Sequence, residues 1–346
     1  MLSDRKFRAA LLLIVLAALA LILYLRWESP PALAPEPAAE TPLPSAAPAE
    51  TPLPAQAAQD GRKRGVYTLL LAGRDEASGN TDTILICRLD TEAHTLDLVS
   101  LPRDTLVNLD WPVRKLNAVY AGTVNGGGDG AAGLRREIRK LCGFTPDCCA
   151  VVDLAVFVQA VDLIGGVDFE LPQAMHYDDP AQDLHIHLEA GPQHLDGEQA
   201  MGLVRYRSGY LNGDLDRVAV QQQFMAAALG QLLSLGSVPK LPELAALLAE
   251  HTDTELSAGN IAWLIRQTLR CRREDIRFHT MPNTPAEVAG LSYVLAEPEA
   301  WLAMLNESLS PYVRPLGWEN LDLVYRDETG FHATSGVLRG AGYYGE

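Results

Sequence analysis

Apolar residues run almost unbroken over 66–72 (VYTLLLA) and 83–89 (TILICRL), the pattern of strands buried on both faces. Residues 95–101 (TLDLVSL) alternate and predict a third strand, with Gly and Asp clusters between the three. The spacing then predicts a helix over 130–141, a strand around Val151, a helix over 156–163 stopped by Gly165 and Gly166, and a short strand at 167–171 (VDFEL). Asp196 and Gln199 stand three apart at the head of DGEQAMGLVRY, the spacing of a reciprocal N-terminal cap. Further helices are predicted at about 214–235, 242–250, 258–272 and 298–309, with a strand near 276–281. Strands and helices alternate, so the expected fold class is α/β, a three-layer α/β/α sandwich around a central mixed sheet. Residues 311–346 carry no usable periodicity.

Ahead of this pattern, Arg5, Lys6 and Arg8 precede an apolar run over 9–25, and Arg26 and Trp27 follow it. Seventeen apolar residues are at the short end of what spans a bilayer. The run ends in LILYLRW rather than a small-residue cleavage pattern, which predicts an uncleaved signal anchor over a cleaved signal peptide. Basic residues on its N-terminal flank keep that end inside. The expected layout is a cytoplasmic N-terminus (1–8), a transmembrane signal anchor (9–25), an extracytoplasmic Pro/Ala-rich linker (26–64), a folded domain (65–310) and a C-terminal tail (311–346). The linker contains AETPLP at 39–44 and again at 49–54 and suits a semi-rigid polyproline stalk. The chain is thus expected to cross the plasma membrane once, with its folded part outside the cell.

Composition adds two limits. The 346-residue chain has 48% hydrophobic residues, enough for a sizeable core, and a formal net charge of -16. That acidity argues against a nucleic-acid partner, which would require a basic face. Outside the membrane a disulfide is permitted among Cys87, Cys142, Cys148, Cys149 and Cys271, the cluster LCGFTPDCC offering a short loop closure. Cys87, inside an apolar strand, reads as a small core residue. His185, His187 and His194 could ligate a metal, but no carboxylate or cysteine completes a recognisable set, so structural or solvent-facing roles are expected. The triple glycine at 126–128 lacks the Lys-Ser/Thr of a phosphate loop and reads as a flexible connection. Neither G-x-S-x-G nor H-E-x-x-H occurs.

The densest chemistry lies in 203–223, LVRYRSGYLNGDLDRVAVQQQ. Arg205, Arg207 and Arg217 surround Asp214 and Asp216, and arginine forks match phosphate oxygens. Asp214, Arg217 and Gln221 fall on one helix face, continued by Val218, Met225, Leu229 and Leu232 on nearly the same side. A helix that is polar at its start and apolar further along enters a site before it enters a core. Asp75 follows the first strand and Asp82 precedes the second, so paired strands would bring two carboxylates together, suited to a Mg²⁺ that binds a diphosphate. Arg103 and Asp104 end the third strand, and Lys115 and Asn117 follow in KLNAVYA. These are strand ends and early helix turns, where α/β sheets build their sites.

Taken in order, LLLAGRD, TDT, SLPRDT, KLNAVYA, FVQAVDLIGGVDFELP, LHIHLEAGPQHLDGEQAMGLVRYR and GDLDRVAVQQQ resemble the LytR-CpsA-Psr family over about residues 66–310. The anchor and stalk match that family's layout. The resemblance implies an extracytoplasmic phosphotransferase that moves a glycopolymer, such as teichoic acid or capsule, from a polyprenyl diphosphate carrier to peptidoglycan. It implies Mg²⁺ or Mn²⁺ on Asp75 and Asp82, and diphosphate binding by Arg103, Arg205, Arg207, Arg217 and Gln221. Asp214 would support the arginines, Lys115 would lie near the pocket, and a long apolar pocket would hold the lipid. The general base is open, with Asp75 a candidate. Three positions depart from the family pattern: Ala77, Asn80 and Val220 stand where arginines are usual, with Arg74 a partial substitute. The rival readings are a polyprenyl diphosphate phosphatase and a non-catalytic lipid-carrier or wall-binding regulator.

Overall fold

Six strands build the central sheet: β1 (Val66–Arg74), β2 (Thr81–Asp90), β3 (Thr95–Ser100), β4 (Cys148–Asp153), β9 (Thr252–Thr254) and β10 (Ile276–Thr280), in the order β10-β3-β2-β1-β4-β9. They belong to a computed structural model that describes residues 27–34, 61–75, 78–179, 184–206, 214–234 and 240–344. β1 pairs antiparallel with β2 and parallel with β4, while β3 pairs parallel with β10, so the sheet is mixed as expected. All the strands expected at 66–72, 83–89, 95–101 and 276–281 lie in it, and Val151 is in β4.

Both faces are covered, which is why β1 and β2 are apolar without alternation. On one face Leu70, Ile84, Ile86 and Val99 pack with Leu134 and Ile138 of helix α2 (Gly130–Cys142) and with Trp301. On the other, Leu85, Cys87, Leu89 and Leu98 pack with α6 (Leu241–His251) and α7 (Ala258–Thr268) through Leu241, Ala245, Ile261 and Leu264. The short α1 (Ala118–Asn125) lies beside α2. A left-handed Gly143, φ 75°, ends α2, a conformation that favours glycine.

A side lobe follows β4. It comprises α3 (Leu154–Ile164), β5 (Val167–Leu171), β6 (Met175–Asp179), β7 (Leu184–Leu188), β8 (Gly191–Leu195), α4 (Gly197–Arg205) and α5 (Asp214–Ser234). The VDFEL strand forms as expected but pairs with β8, outside the main sheet. The predicted cap is present: Asp196 Oδ1 accepts the Gln199 N–H at 2.9 Å, and Gln199 Oε1 accepts the Asp196 N–H at 3.0 Å.

The last elements are the hairpin β11 (Asn283–Val288) and β12 (Leu291–Ala296), helix α8 (Pro298–Met304), which continues as a π-turn over Leu305–Leu309, and the hairpin β13 (Val324–Asp327) and β14 (Gly330–Ala333). The expected boundary at 310 sets the tail apart, whereas its side chains complete the body. Leu316, Leu321 and Leu323 are buried in the core under α2. Arg114 Nη1 donates to the Arg339 carbonyl at 2.8 Å, and Arg114 Cζ lies 4.2 Å from the Tyr343 ring centre. Such irregular plugs leave no period to read.

The expected linker, 26–64, is also tied down at both of its described ends. Glu28 pairs with Arg266 at 2.7 Å, and Asn260 Nδ2 donates to the Ser29 carbonyl at 3.0 Å. Asp147, its side chain fully buried, accepts the Ala34 N–H at 2.7 Å and pairs with Arg62. The apolar run 9–25 and residues 35–60 lie outside the described residues. Among those described, no helix is long and apolar enough to cross a membrane.

All five cysteines are buried free thiols. Adjacent Cys148 and Cys149 point into opposite cores, Cys142 lies in the same core as Cys149, and the loop closure that the spacing permits does not form. Cys87 is a core residue as expected. Burial pushes the Cys87, Cys148 and Cys149 thiols up to about 12. The thiolate is the reactive species. A thiol reagent at pH 8 is therefore expected to label none of these three in the folded protein, and all of them once the chain is unfolded.

Candidate active site

The site gathers where three central strands end. β1 and β4 run parallel, and Arg74 pairs in register with Asp153, so their C-terminal ends lie side by side. Arg74 Nε and Nη2 donate to the two carboxylate oxygens of Asp153 at 2.6 and 2.8 Å, a bidentate fork. That hydrogen bond, outweighing partial burial, raises the Arg74 pKa above its ordinary value. Its guanidinium also lies 5.5 Å from the Tyr120 ring centre.

Between β1 and β2 the chain reverses in a tight turn. The Asp75 N–H donates to the Asn80 carbonyl at 2.9 Å, and the Asp75 carboxylate accepts the Ser78 hydroxyl at 3.0 Å. Gly73 pairs with Thr83 and Arg74 with Thr81, so Asp82 is the extra residue of a β-bulge. Strict alternation would turn Asp82 to the same face as buried Ile84 and Ile86. The bulge breaks that alternation and re-aims the carboxylate. Asp82, its side chain 29% exposed, accepts from Arg103 Nη1 at 3.2 Å.

Arg103 leaves β3 into a loop held by the Asn117 N–H, which donates to the Arg103 carbonyl at 3.0 Å. Asp104 then joins two cations, 3.8 Å from Arg103 Nε and 2.8 Å from Lys115 Nζ. Charges therefore alternate along Asp82, Arg103, Asp104 and Lys115. Arg103 Nε is buried without a hydrogen-bond partner, and such a donor in a native fold calls for a reason.

Beneath these strand ends lies a cavity of about 290 Å³ between the sheet and helices α3, α5 and α6. Leu71, Leu85, Phe157, Phe224 and Met225 form its apolar walls, while Thr83, Asp153 and Gln221 supply its polar lining. Gln221 Nε2 donates to the Val204 carbonyl at 2.9 Å and ties α5 to α4. The predicted face of α5 is seen in Gln221 and Met225, joined by Phe224 and Ala228 rather than by Leu229 and Leu232.

Of the predicted site residues, Asp82, Arg103 and Lys115 thus form one connected network, with Asp75 on the adjoining turn. Arg205 closes α4 and is partly buried. Arg207 lies outside the described residues, as do the side chains of Asp214, Arg217 and Val218 at the start of α5. The sequence reading missed Asp153 and Tyr120. Asp153 carried one signal, a carboxylate ending a buried strand. The histidines sit on exposed faces: His185 and His187 lie 2.6 and 3.2 Å from Asp178, and His194 lies 2.7 Å from Asp168. Among the described residues, no group of three or more His, Cys, Asp or Glu could hold a metal ion.

The arrangement suits an amphiphile: an apolar slot ends beside fixed cations and carboxylates. The family model described as "LytR_cpsA_psr family" matches residues 41–309. The chain belongs to this family. A LytR_cpsA_psr relative, the cell wall biosynthesis protein LcpA of Corynebacterium glutamicum, is 34% identical over 244 residues, covering 64% of this chain and 46% of LcpA. The polyisoprenyl-teichoic acid–peptidoglycan teichoic acid transferase TagV of Bacillus subtilis is 26% identical over 206 residues, 56% of this chain and 51% of TagV. The chain spans about half the length of these curated relatives. The crystal structure of TagV superposes with a TM-score of 0.58 at 20% identity, over 71% of this chain and 98% of that one. B. subtilis TagT bound to LI-WTA superposes with a TM-score of 0.55 at 18% identity, over 70% and 89%. These likenesses establish the fold of a LytR_cpsA_psr protein.

Two of the departures from the family pattern acquire a physical setting. Val220 is only 5% exposed and packs with Phe169 and Phe224 in the core of the side lobe. An arginine there would be buried among apolar groups, so Val220 fills a core position rather than emptying a pocket. Asn80 serves the turn through its carbonyl. Ala77 lies outside the described residues.

Proposed function

We propose that this chain is a membrane-anchored, extracytoplasmic phosphotransferase. It passes a glycopolymer of the teichoic acid or capsule kind from a polyprenyl diphosphate carrier to peptidoglycan, forming a phosphodiester bond. The observation that carries the reading is the apolar cavity ending beside Arg74–Asp153 and Asp82–Arg103. A polyprenyl chain requires an apolar slot and its diphosphate requires charged donors, and the two lie together here. The names of TagV and LcpA support the cell-wall direction. The basic flank of the run 9–25 supports a domain held outside the plasma membrane.

In this reading the cavity takes the lipid tail. Arg103, Arg205, Arg207, Arg217, Lys115 and Gln221 bind the diphosphate, and Asp214 orients the arginines. Asp75 and Asp82 would hold Mg²⁺ or Mn²⁺. Their oxygens are the hard donors such ions prefer, they flank one tight turn, and the bulge releases Asp82 from the core face. The bound ion would supply charge neutralisation on the diphosphate. The Arg103 Nε, a buried donor that makes no hydrogen bond, supports a role as a donor to phosphate oxygen. An acceptor sugar hydroxyl bonds to the phosphorus next to the glycan, and the P–O bond to the polyprenyl phosphate breaks. The hydroxyl proton passes to a strand-end carboxylate, with Asp75 the candidate.

The test is transfer by the full chain in detergent, given a polyprenyl diphosphate glycan, Mg²⁺ and peptidoglycan oligomers. Covalent glycan on the oligomer is expected. Free phosphorylated glycan without attachment would mean a phosphatase instead, and tight lipid binding without turnover a non-catalytic carrier. A second variant checks the slot. Ala228→Trp fills it, and each CH₂ kept out forfeits about 0.8 kcal/mol, so affinity for polyprenyl phosphate is expected to fall roughly tenfold or more. Unchanged affinity, measured by fluorescence titration, would remove the lipid from this cavity.

A further inference from the structure

The residues that follow the apolar run are packed onto the domain before the Pro/Ala-rich stretch begins. Trp27 lies against the start of α7, where a Cβ at Gly259 would overlap the Trp27 carbonyl. Glycine there leaves the room that this close approach needs. Glu28, its side chain 6% exposed, meets Arg266 with both oxygens, Oε1 to Nη2 and Oε2 to Nε, at 2.7 Å each. Asn260 Nδ2 donates to the Ser29 carbonyl at 3.0 Å, and Pro31 is buried. Ala34 ends this strap at Asp147, the same carboxylate that pairs with Arg62.

The chain between Ala34 and Arg62 thus leaves one carboxylate and returns to it. Extended as polyproline it would reach about 80 Å, yet none of that reach separates the domain from the run 9–25. Only Arg26 stands between Leu25 and the docked Trp27, a reach of about 7 Å whatever its conformation. Helix α7, which carries the strap, packs on α6, and Leu248 of α6 lines the apolar cavity. Strap and slot therefore belong to the same helical layer. The strap's large exposed side chains, Trp27 at 39% and Leu33 at 47%, are apolar and suit a headgroup region, where tryptophan is favoured. A net charge of -16 gives no general attraction to an anionic leaflet, so the covalent anchor and its strap must do the holding.

We propose that the strap 27–34 seats the α6/α7 layer on the outer surface of the bilayer. The domain then works at the membrane, and the Pro/Ala-rich stretch is a side loop rather than a stalk. The slot lies on the leaflet side of the sheet, which shortens the path of a polyprenyl tail out of the bilayer. This assignment rests on the reading of 9–25 as a signal anchor and is independent of turnover.

The test places the full chain in vesicles of phosphatidylcholine and phosphatidylglycerol that carry an energy-transfer acceptor on their headgroups. The five native thiols are buried, so a donor dye added from outside goes to a cysteine introduced at exposed Ala246 of α6 or exposed Ala132 of α2 (Ala246→Cys, Ala132→Cys). Each layer packs about 10 Å from the next, so transfer from α6 is expected to be at least about twofold more efficient than from α2. Doubling residues 35–60 is expected to leave both values unchanged. Gly259→Ala/Arg266→Ala undocks the strap while keeping α7, since alanine suits a helix better than glycine; a circular-dichroism melt checks the fold. Release of the chain up to Ala34 adds about 25 Å of reach, and the α6–α2 difference is expected to vanish. Equal transfer from the two layers in wild type, or transfer that falls when 35–60 is doubled, would overturn the proposal and restore the stalk. A folded double variant that keeps the wild-type difference would overturn the strap's part in it. Chain washed off the vesicles by carbonate would sink the anchor reading itself, and the proposal with it.

Discussion

Arg103→Ala lowers kcat/KM for glycan transfer by about a hundredfold or more, the loss expected when a preorganised donor to a developing anionic oxygen is removed. Three observations single out this arginine. It reaches the bulge carboxylate Asp82 at 3.2 Å, its Nε is a buried donor without a hydrogen bond, and Asp104 links it to Lys115. Arg103→Lys restores little, because an ammonium cannot reproduce the planar fork. Folding stability changes much less. The side chains of Arg103 and Asp82 are 21% and 29% exposed, and pairs that reach solvent contribute modestly. Transfer kinetics together with a melting curve check both halves. A rate within threefold of wild type would remove Arg103 from the chemistry and favour a binding protein.

Asp147→Ala is expected to destabilise the fold by about 3–5 kcal/mol, the usual result of orphaning a buried ion pair. The Asp147 side chain is fully buried and pairs with Arg62. It also accepts the Thr68 N–H at 2.8 Å, the Thr68 hydroxyl at 2.9 Å and the Ala34 N–H at 2.7 Å. Truncation removes the shared acceptor of all four donors and unties Ala34 and Arg62 from each other at this point. In a domain of this size the melting temperature is expected to drop by about 10 °C. Asp147→Asn falls between, since its amide keeps one acceptor oxygen. A drop under about 2 °C in Asp147→Ala would mean that water replaces the carboxylate at this point.

Several parts of the site were legible for local reasons. The reciprocal cap at Asp196 and Gln199 depends on neighbours three apart, so spacing alone reveals it. The continuous apolar runs of β1 and β2 report burial on both faces, because every second side chain meets each layer of helices. The position of Asp82 was legible as a strand end, but its bulge was not. A one-residue excess is defined only against the partner strand, where Gly73 faces Thr83 and Arg74 faces Thr81. The setting of Val220 was hidden for a related reason. On helical spacing it borders the polar face, and only the docking of α5 against β5 turns it into a core.

The amino-acid sequence by itself determined five of the six central strands and most of the helices, the family, the conjunction of carboxylates and arginines at strand ends, and the polar-to-apolar course of α5. Those properties reside in residues a few positions apart, where periodicity and capping act. Tertiary structure alone decided that Arg74 grips Asp153 across 79 residues and that Tyr120 reaches Asp253 across 133. It alone brought the tail past 310 into the core and put Cys148 and Cys149 in separate layers. Each of these depends on which strands lie side by side and in what register, and register is a property of the pair of strands rather than of either one.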